Sequence, residues 1–200
     1  MSFRHIAAMR IGILLFATAV LPPLCRAQAP VFVITPQHST IRFKVKSSVQ
    51  IVGRFDKWDA TLTFSSPHIS TGVLNINIQA ATVDTGSGLK NNKLKGKDFF
   101  NVEQNPLITF RSKKVIETGP HTFEVPGIFT IRGVSNPETL RLTVSNTETD
   151  AGVIVAAMAF NRKGYGMNGS IPFIKIADLV EVDIDLKVKH VSGSPVLLKQ

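Results

Sequence analysis

The chain holds one cysteine, one tryptophan and one tyrosine in 200 residues. The cysteine, Cys25, follows an apolar run at 11–21 that has Arg4, His5 and Arg10 ahead of it and Pro22-Pro23 behind. A run of that length falls short of the roughly 20 apolar residues that span a bilayer, and with its basic start it reads as an export signal. Cleavage is expected after Ala27, with Cys25 at the −3 position, because cleavage after Ala29 would leave Pro30 first. A lipid-modified Cys25 would need a small residue before it, and Leu24 stands there. The remaining segment, 28–200, is then cysteine-free, which excludes disulfides and thiol chemistry, and is expected to be one domain working in the periplasm or secreted.

Acids are scarce: 14 Asp and Glu against 23 Lys and Arg give a net charge of +9, or +6 once Arg4, Arg10 and Arg26 leave with the signal. A basic exported protein is drawn toward anionic headgroups and acidic polymers. The lack of aromatics interleaved with basic residues argues against nucleic acid.

Catalytic patterns are also missing. His38, His68, His121 and His190 have no pairwise spacing that suits metal ligation, and G-x-S-x-G, H-E-x-x-H, P-loop and dinucleotide patterns do not occur. His38-Ser39 at a strand start reads as a hydrogen-bond lock before it reads as a base and nucleophile. Asp56 and Asp59 fall near a bend, and Asp183 and Asp185 on the polar face of a strand. No catalytic residue, metal or cofactor is expected.

What the chain does have is alternation. Val180, Val182, Ile184, Leu186 and Val188 alternate with Glu181, Asp183, Asp185, Lys187 and Lys189, the pattern of a strand with one face in an apolar interior. The same period runs through Ile41, Phe43 and Val45; Trp58, Ala60, Leu62 and Phe64; Leu74, Ile76 and Ile78; Ile108 and Phe110; Phe123, Val125, Phe129 and Ile131; and Leu140, Leu142 and Val144. Turn residues at 65–67, 118–120, 134–137 and 150–152 separate these runs. About eight antiparallel strands follow, an all-β set that closes into a barrel or folds into a sandwich. Gly53, Gly127, Gly133 and Gly166 read as bends and bulges.

One segment departs from period two. GLKNNKLKGKDFFN (88–101) predicts a turn or two of helix across a barrel end, with Leu89, Leu94, Phe99 and Phe100 turned inward. Its lysines, Lys90, Lys93, Lys95 and Lys97, are candidates for a diphosphate or an anionic bilayer. Eleven phenylalanines remain of the 13 in the chain once Phe3 and Phe16 leave; unlike Tyr, they suit a wall meant to stay dry.

Short motifs in a fixed order carry a resemblance. Thr35-Pro36-x-His38-Ser39-x-Ile41-x-Phe43, Val52-Gly53-x-Phe55, Val83-Asp84-Thr85, Leu94 with Asp98-Phe99-Phe100-Asn101, and Pro106-x-Ile108-x-Phe110 come first. Gly127-x-Phe129-Thr130-Ile131-Arg132-Gly133-Val134, Asn161-Arg162-x-x-Tyr165-Gly166-Met167 and Ala177-Asp178-x-Val180-x-Val182 complete the set. Together they resemble the YceI-like polyisoprenoid-binding family over nearly all of 28–200. Thr35, Lys46, Asn92 and Tyr165 depart from it, standing where relatives tend to carry Asp, His, an acid and Phe. The resemblance implies a lipocalin-like barrel whose apolar tunnel takes a polyisoprenoid or isoprenoid-quinone-type tail, for carriage or sequestration outside the cytoplasm.

Strand parity then nominates Phe43, Trp58, Leu62, Leu74, Ile76, Phe110, Phe129, Leu142, Phe160 and Ile184 as the tunnel wall, with Leu94, Phe99 and Phe100 closing one end. The expected partners are an amphiphilic lipid and, transiently, an anionic membrane; the oligomeric state is open, a dimer included. Two other readings stand beside this one: a lipid-modifying enzyme using His38 or the acids near Trp58, and a filled barrel whose surface binds a partner.

Overall fold

The computed structural model describes residues 28–48, 50–145, 151–170 and 173–197. The expected export signal, Cys25 with it, lies outside them. In chain order the elements are β1 (Val31–Ile34), β2 (Thr40–Ser47), β3 (Ile51–Phe55), β4 (Trp58–Thr63), β5 (Val73–Gln79), β6 (Val83–Asp84), α1 (Gly88–Lys95), β7 (Leu107–Ser112), β8 (Ile116–Gly119), β9 (Thr122–Ile131), β10 (Val134–Ser145), β11 (Ala151–Asn161) and β12 (Ile176–Ser192).

The ring runs β1-β4-β5-β7-β9-β10-β11-β12 and closes where β12 meets β1, giving an eight-stranded antiparallel barrel. Closure removes the free edges that an open sheet would expose. β12 borders two strands on one side: its later half pairs with β1 (Ile34↔Val188) and its earlier half with β2 (Ile41↔Ile184). β2, β3 and β6 extend the wall beyond the ring. Between β1 and β2 the chain makes a 3₁₀ turn, Pro36–His38. The Ser39 hydroxyl pins it, donating to the Thr35 carbonyl at 2.7 Å and accepting from the Lys187 amide at 2.8 Å.

Alternation sets which face is inside. In β9 every second residue from Phe123 to Ile131 is buried, and β5 buries Leu74, Ile76 and Ile78. Two expectations are corrected. The 134–137 turn is instead the start of β10, with Pro137 opposite Ile128 in the ladder. The hairpin pivots on Arg132 and Gly133, both at positive φ (55° and 74°), as a two-residue turn between right-twisted strands requires. Gly53 and Gly127 are not bulges, because the register through both is unbroken. They leave room for rings: a Cβ at Gly53 would lie 2.3 Å from the Phe43 ring, and one at Gly127 2.6 Å from that of Phe110.

α1 is short and stapled at its start. The Asp84 carboxylate accepts from the Gly86 amide at 2.9 Å, and the Asn91 side-chain oxygen accepts from the Thr85 amide at 2.8 Å. Lys93 and Lys95 stand in its last turn, where cations suit the helix dipole. Leu94 is buried but Leu89 is 83% exposed, against expectation. Five residues apart, they point about 140° from one another on a helix, so both cannot face the core.

Candidate functional site

The upper half of the barrel, under α1, encloses an apolar void of about 80 Å³. At roughly 10–15 Å³ per water-sized body it has room for five to eight of them, the girth of a single slender chain. Every side chain bounding it is apolar except Arg42 and Arg162. Arg42 is exposed, and its guanidinium turns to the Thr40 hydroxyl at 3.2 Å.

The structure brings nine of the nominated residues to this void. Phe43, Ile76, Phe110, Phe129, Phe160 and Ile184 form walls from six strands, and Leu94, Phe99 and Phe100 roof it. Four others do not reach it. Leu62, Leu74 and Leu142 face inward but belong to a lower layer that, with Phe123, Ile154 and Leu186, fills the barrel floor. Trp58, opposite Ile78 on β4, is half-buried against the core. Parity identifies the inner face of a strand; it carries nothing about depth along the barrel axis. The void therefore lies under α1 and ends above this lower layer.

Aromatic contacts tile its walls. Phe43 meets Phe55, Phe55 meets Phe100, and Phe129, Phe160 and Tyr165 form an edge-to-face trio with centroids 5.2–5.8 Å apart. Tyr165 is buried, and its hydroxyl donates to Glu138 at 3.0 Å. Burial first, and then the Glu138 charge, push its pKa well above the usual phenol value.

Arg162 went unassigned in the sequence. It is buried at the roof, in the 3₁₀ turn after β11, and clamps the segment that follows. Its Nε donates to the Ala177 carbonyl at 3.1 Å and its Nη1 to those of Met167 (2.5 Å) and Gly169 (3.1 Å), while Nη2 lies 3.3 Å from Asp178. Gly169 in turn donates its amide to the Asp98 carbonyl at 3.1 Å, and a Cβ there would lie 2.4 Å from the Phe99 ring. Two segments, 88–101 and 162–170, thus meet face to face over the void. The signal for this was Arg162's place in the Asn161-Arg162-x-x-Tyr165-Gly166-Met167 motif, which marks the position without saying what the side chain holds.

The acids among the remaining polar candidates are engaged elsewhere. Asp183 pairs with Lys44 at 2.6 Å, Asp185 with Lys187 at 3.1 Å, and Asp56 with Arg54 at 2.9 Å, while Asp59 accepts from Asn77 at 2.7 Å. His38 is exposed beside a Ser39 hydroxyl already used as the lock. Lys93 pairs with Asp98 at 3.1 Å; Lys90 and Lys95 are half-buried and Lys97 is exposed. Among the described residues no group of three His, Cys, Asp or Glu is placed to hold a metal.

The YceI-like domain model matches residues 32–188. The chain belongs to the YceI-like family. A UPF0312 protein of Pseudomonas aeruginosa (strain LESB58) is 32% identical over 107 residues, 52% of this chain and 56% of the relative, so the match spans little more than half that protein's length. A UPF0312 protein of Yersinia pestis (strain Pestoides F) is 31% identical over 68% of each chain. Among solved structures, Burkholderia cenocepacia BcnA superposes with a TM-score of 0.70 at 23% identity, covering 78% of this chain and 99% of BcnA. A polyisoprenoid-binding domain from Saccharophagus degradans, implicated in plant cell wall breakdown, superposes at 0.64 with 15% identity, covering 81% and 99%. These likenesses place the lipocalin-like barrel of the YceI-like chain among known folds.

Proposed function

We propose that this protein holds the tail of a long-chain isoprenoid, or of a related lipid such as an isoprenoid quinone, in the void beneath α1. Carriage or sequestration outside the cytoplasm, without chemical change to the lipid, is the role that fits. The observation that carries the reading is an apolar cavity roofed by two segments that touch each other without a covalent link. Each buried methylene contributes about 0.8 kcal/mol, so one five-carbon unit gives roughly 4 kcal/mol before ordering costs. Three or four such units suffice for micromolar affinity, about −8 kcal/mol, after those costs. A void this small takes the leading units of a tail as it stands; a longer stretch needs the Phe99–Phe100 roof to lift. Lys90, Lys93, Lys95 and Lys97 stand on the roof, where a diphosphate leaving the cavity would meet them, and the same end faces any anionic membrane that supplies the lipid.

Native mass spectrometry with lipid extraction tests this. Protein purified from cells is expected to carry a hydrophobic passenger, or to take up a prenyl alcohol when offered one in detergent. A protein that is always empty and takes up no prenyl lipid would sink the proposal.

A further inference from the structure

Among the described residues two large apolar side chains stand apart from all others in exposure. Phe173 is fully exposed and Leu89 is 83% exposed, whereas the next most exposed are near half. Both sit at the barrel end that covers the cavity. Leu89 opens α1, and Phe173 lies between the Arg162-clamped segment and β12. Its backbone is fixed nearby, where Lys175 exchanges hydrogen bonds with Ser48, donating its amide to the hydroxyl and accepting from the Ser48 amide. Phe173 holds φ at 63°, a region an aromatic residue seldom enters. An exposed leucine alone is ordinary, but two exposed apolar tips at the end that covers a lipid cavity are not.

Charge at this end is lopsided. Most acids here are already occupied, Asp84 by Arg54, Asp98 by Lys93, and Asp178 by Arg162 and Lys163, which leaves Glu103 as the acid without an ion pair among the described residues. Lys90, Lys95, Lys97 and Lys175 have no ion-pair partner among the described residues. Apolar tips surrounded by free lysines make the arrangement that seats a protein on an anionic bilayer: the tips enter the acyl boundary and the ammonium groups stay among the headgroups.

The geometry points to a membrane-docking face made of Leu89 and Phe173 with Lys90, Lys95, Lys97 and Lys175, which presses the roofed end of the cavity onto an anionic phospholipid bilayer. This rests on the lipid-holding reading and gives it a direction. The tail would pass from the acyl layer into the void through the seam between Phe99 and Gly169, without crossing water.

Co-sedimentation with vesicles of phosphatidylglycerol and phosphatidylcholine, against phosphatidylcholine alone, is the test. The protein is expected to bind the anionic vesicles at low salt and to be released as salt screens the lysines. Lys90→Gln, Lys95→Gln and Lys97→Gln together should weaken binding by about two orders of magnitude, roughly fivefold for each lysine. Leu89→Ser with Phe173→Ser should weaken it at least tenfold, with far-ultraviolet circular dichroism unchanged. Uptake of a prenyl alcohol from detergent micelles, measured in parallel, should be the same for the Leu89→Ser, Phe173→Ser variant as for the unaltered protein. No preference for anionic vesicles, or full binding by the Leu89→Ser, Phe173→Ser variant, overturns the docking face. So does self-association that the serine variant disperses without any vesicle binding. Loss of micelle uptake in the unaltered protein would strike the lipid-holding reading instead, leaving vesicle binding to be judged by itself.

Discussion

Arg162 shows how much one side chain can organise. A guanidinium has five N–H donors in a fixed plane and no acceptor, which suits it to gathering carbonyls that have no strand to pair with. Here it gathers those of Met167, Gly169 and Ala177 and keeps Asp178 as counter-charge. Replacing it by alanine leaves three carbonyls without their donor and should cost about 2–4 kcal/mol, read as a lower urea midpoint. Arg162→Lys should recover little of that loss, because one ammonium cannot reach both sides of the turn. Nothing in the sequence separates this arginine from a solvated one, since burial of a charge is decided by partners that arrive from elsewhere in the chain. Tyr165 stood out in the sequence only as a departure from the relatives' Phe, and neither its burial nor Glu138 as its partner was legible.

At the level of elements, the roof is held more weakly than the barrel, and acid should show it. Asp178 has its pKa lowered chiefly by the hydrogen bond from Lys163, and Asp84 chiefly by the Gly86 amide and then Asn91. A carboxyl whose pKa falls on folding adds stability above its ordinary range and loses it as pH drops through the lowered value. Both groups brace roof segments, so the roof is expected to loosen at a pH below the ordinary carboxylate range while the ladders persist. Hydrogen exchange at the Gly86 and Gly169 amides should rise first on acidification, and Asp178→Asn should remove most of the pH dependence at Gly169. A simultaneous loss of protection in β9 and β10 would contradict this order. Period-two runs revealed β5, β9 and β12 because half-buried strands impose them on composition. The β9–β10 turn was misplaced because Pro137 resembles a breaker, whereas the true pivot uses Arg132, a residue type that turn rules do not favour.

For the whole molecule the governing quantity is how far down the void reaches. The filled layer of Leu74, Leu142, Ile154 and Leu186 sets the floor, and Leu140 lines the void just above it. Leu140→Ala should cost about 2–5 kcal/mol in stability and lengthen the chain the protein accepts. Competition between prenyl alcohols of increasing length, read by native mass spectrometry, would show the preference shift upward, and an unchanged preference would mean that the floor is not the ruler. The ring itself closes only when β12 lies between β11 and β1, joining residues about 155 apart in sequence. Such a pairing is slow to form, because a long loop must be closed before any contact rewards it. While β12 is still on the ribosome, β1 and β11 have no common partner and the barrel cannot exist. A chain arranged this way has no closed ring, and so no walled cavity, until β12 has joined both of its neighbours.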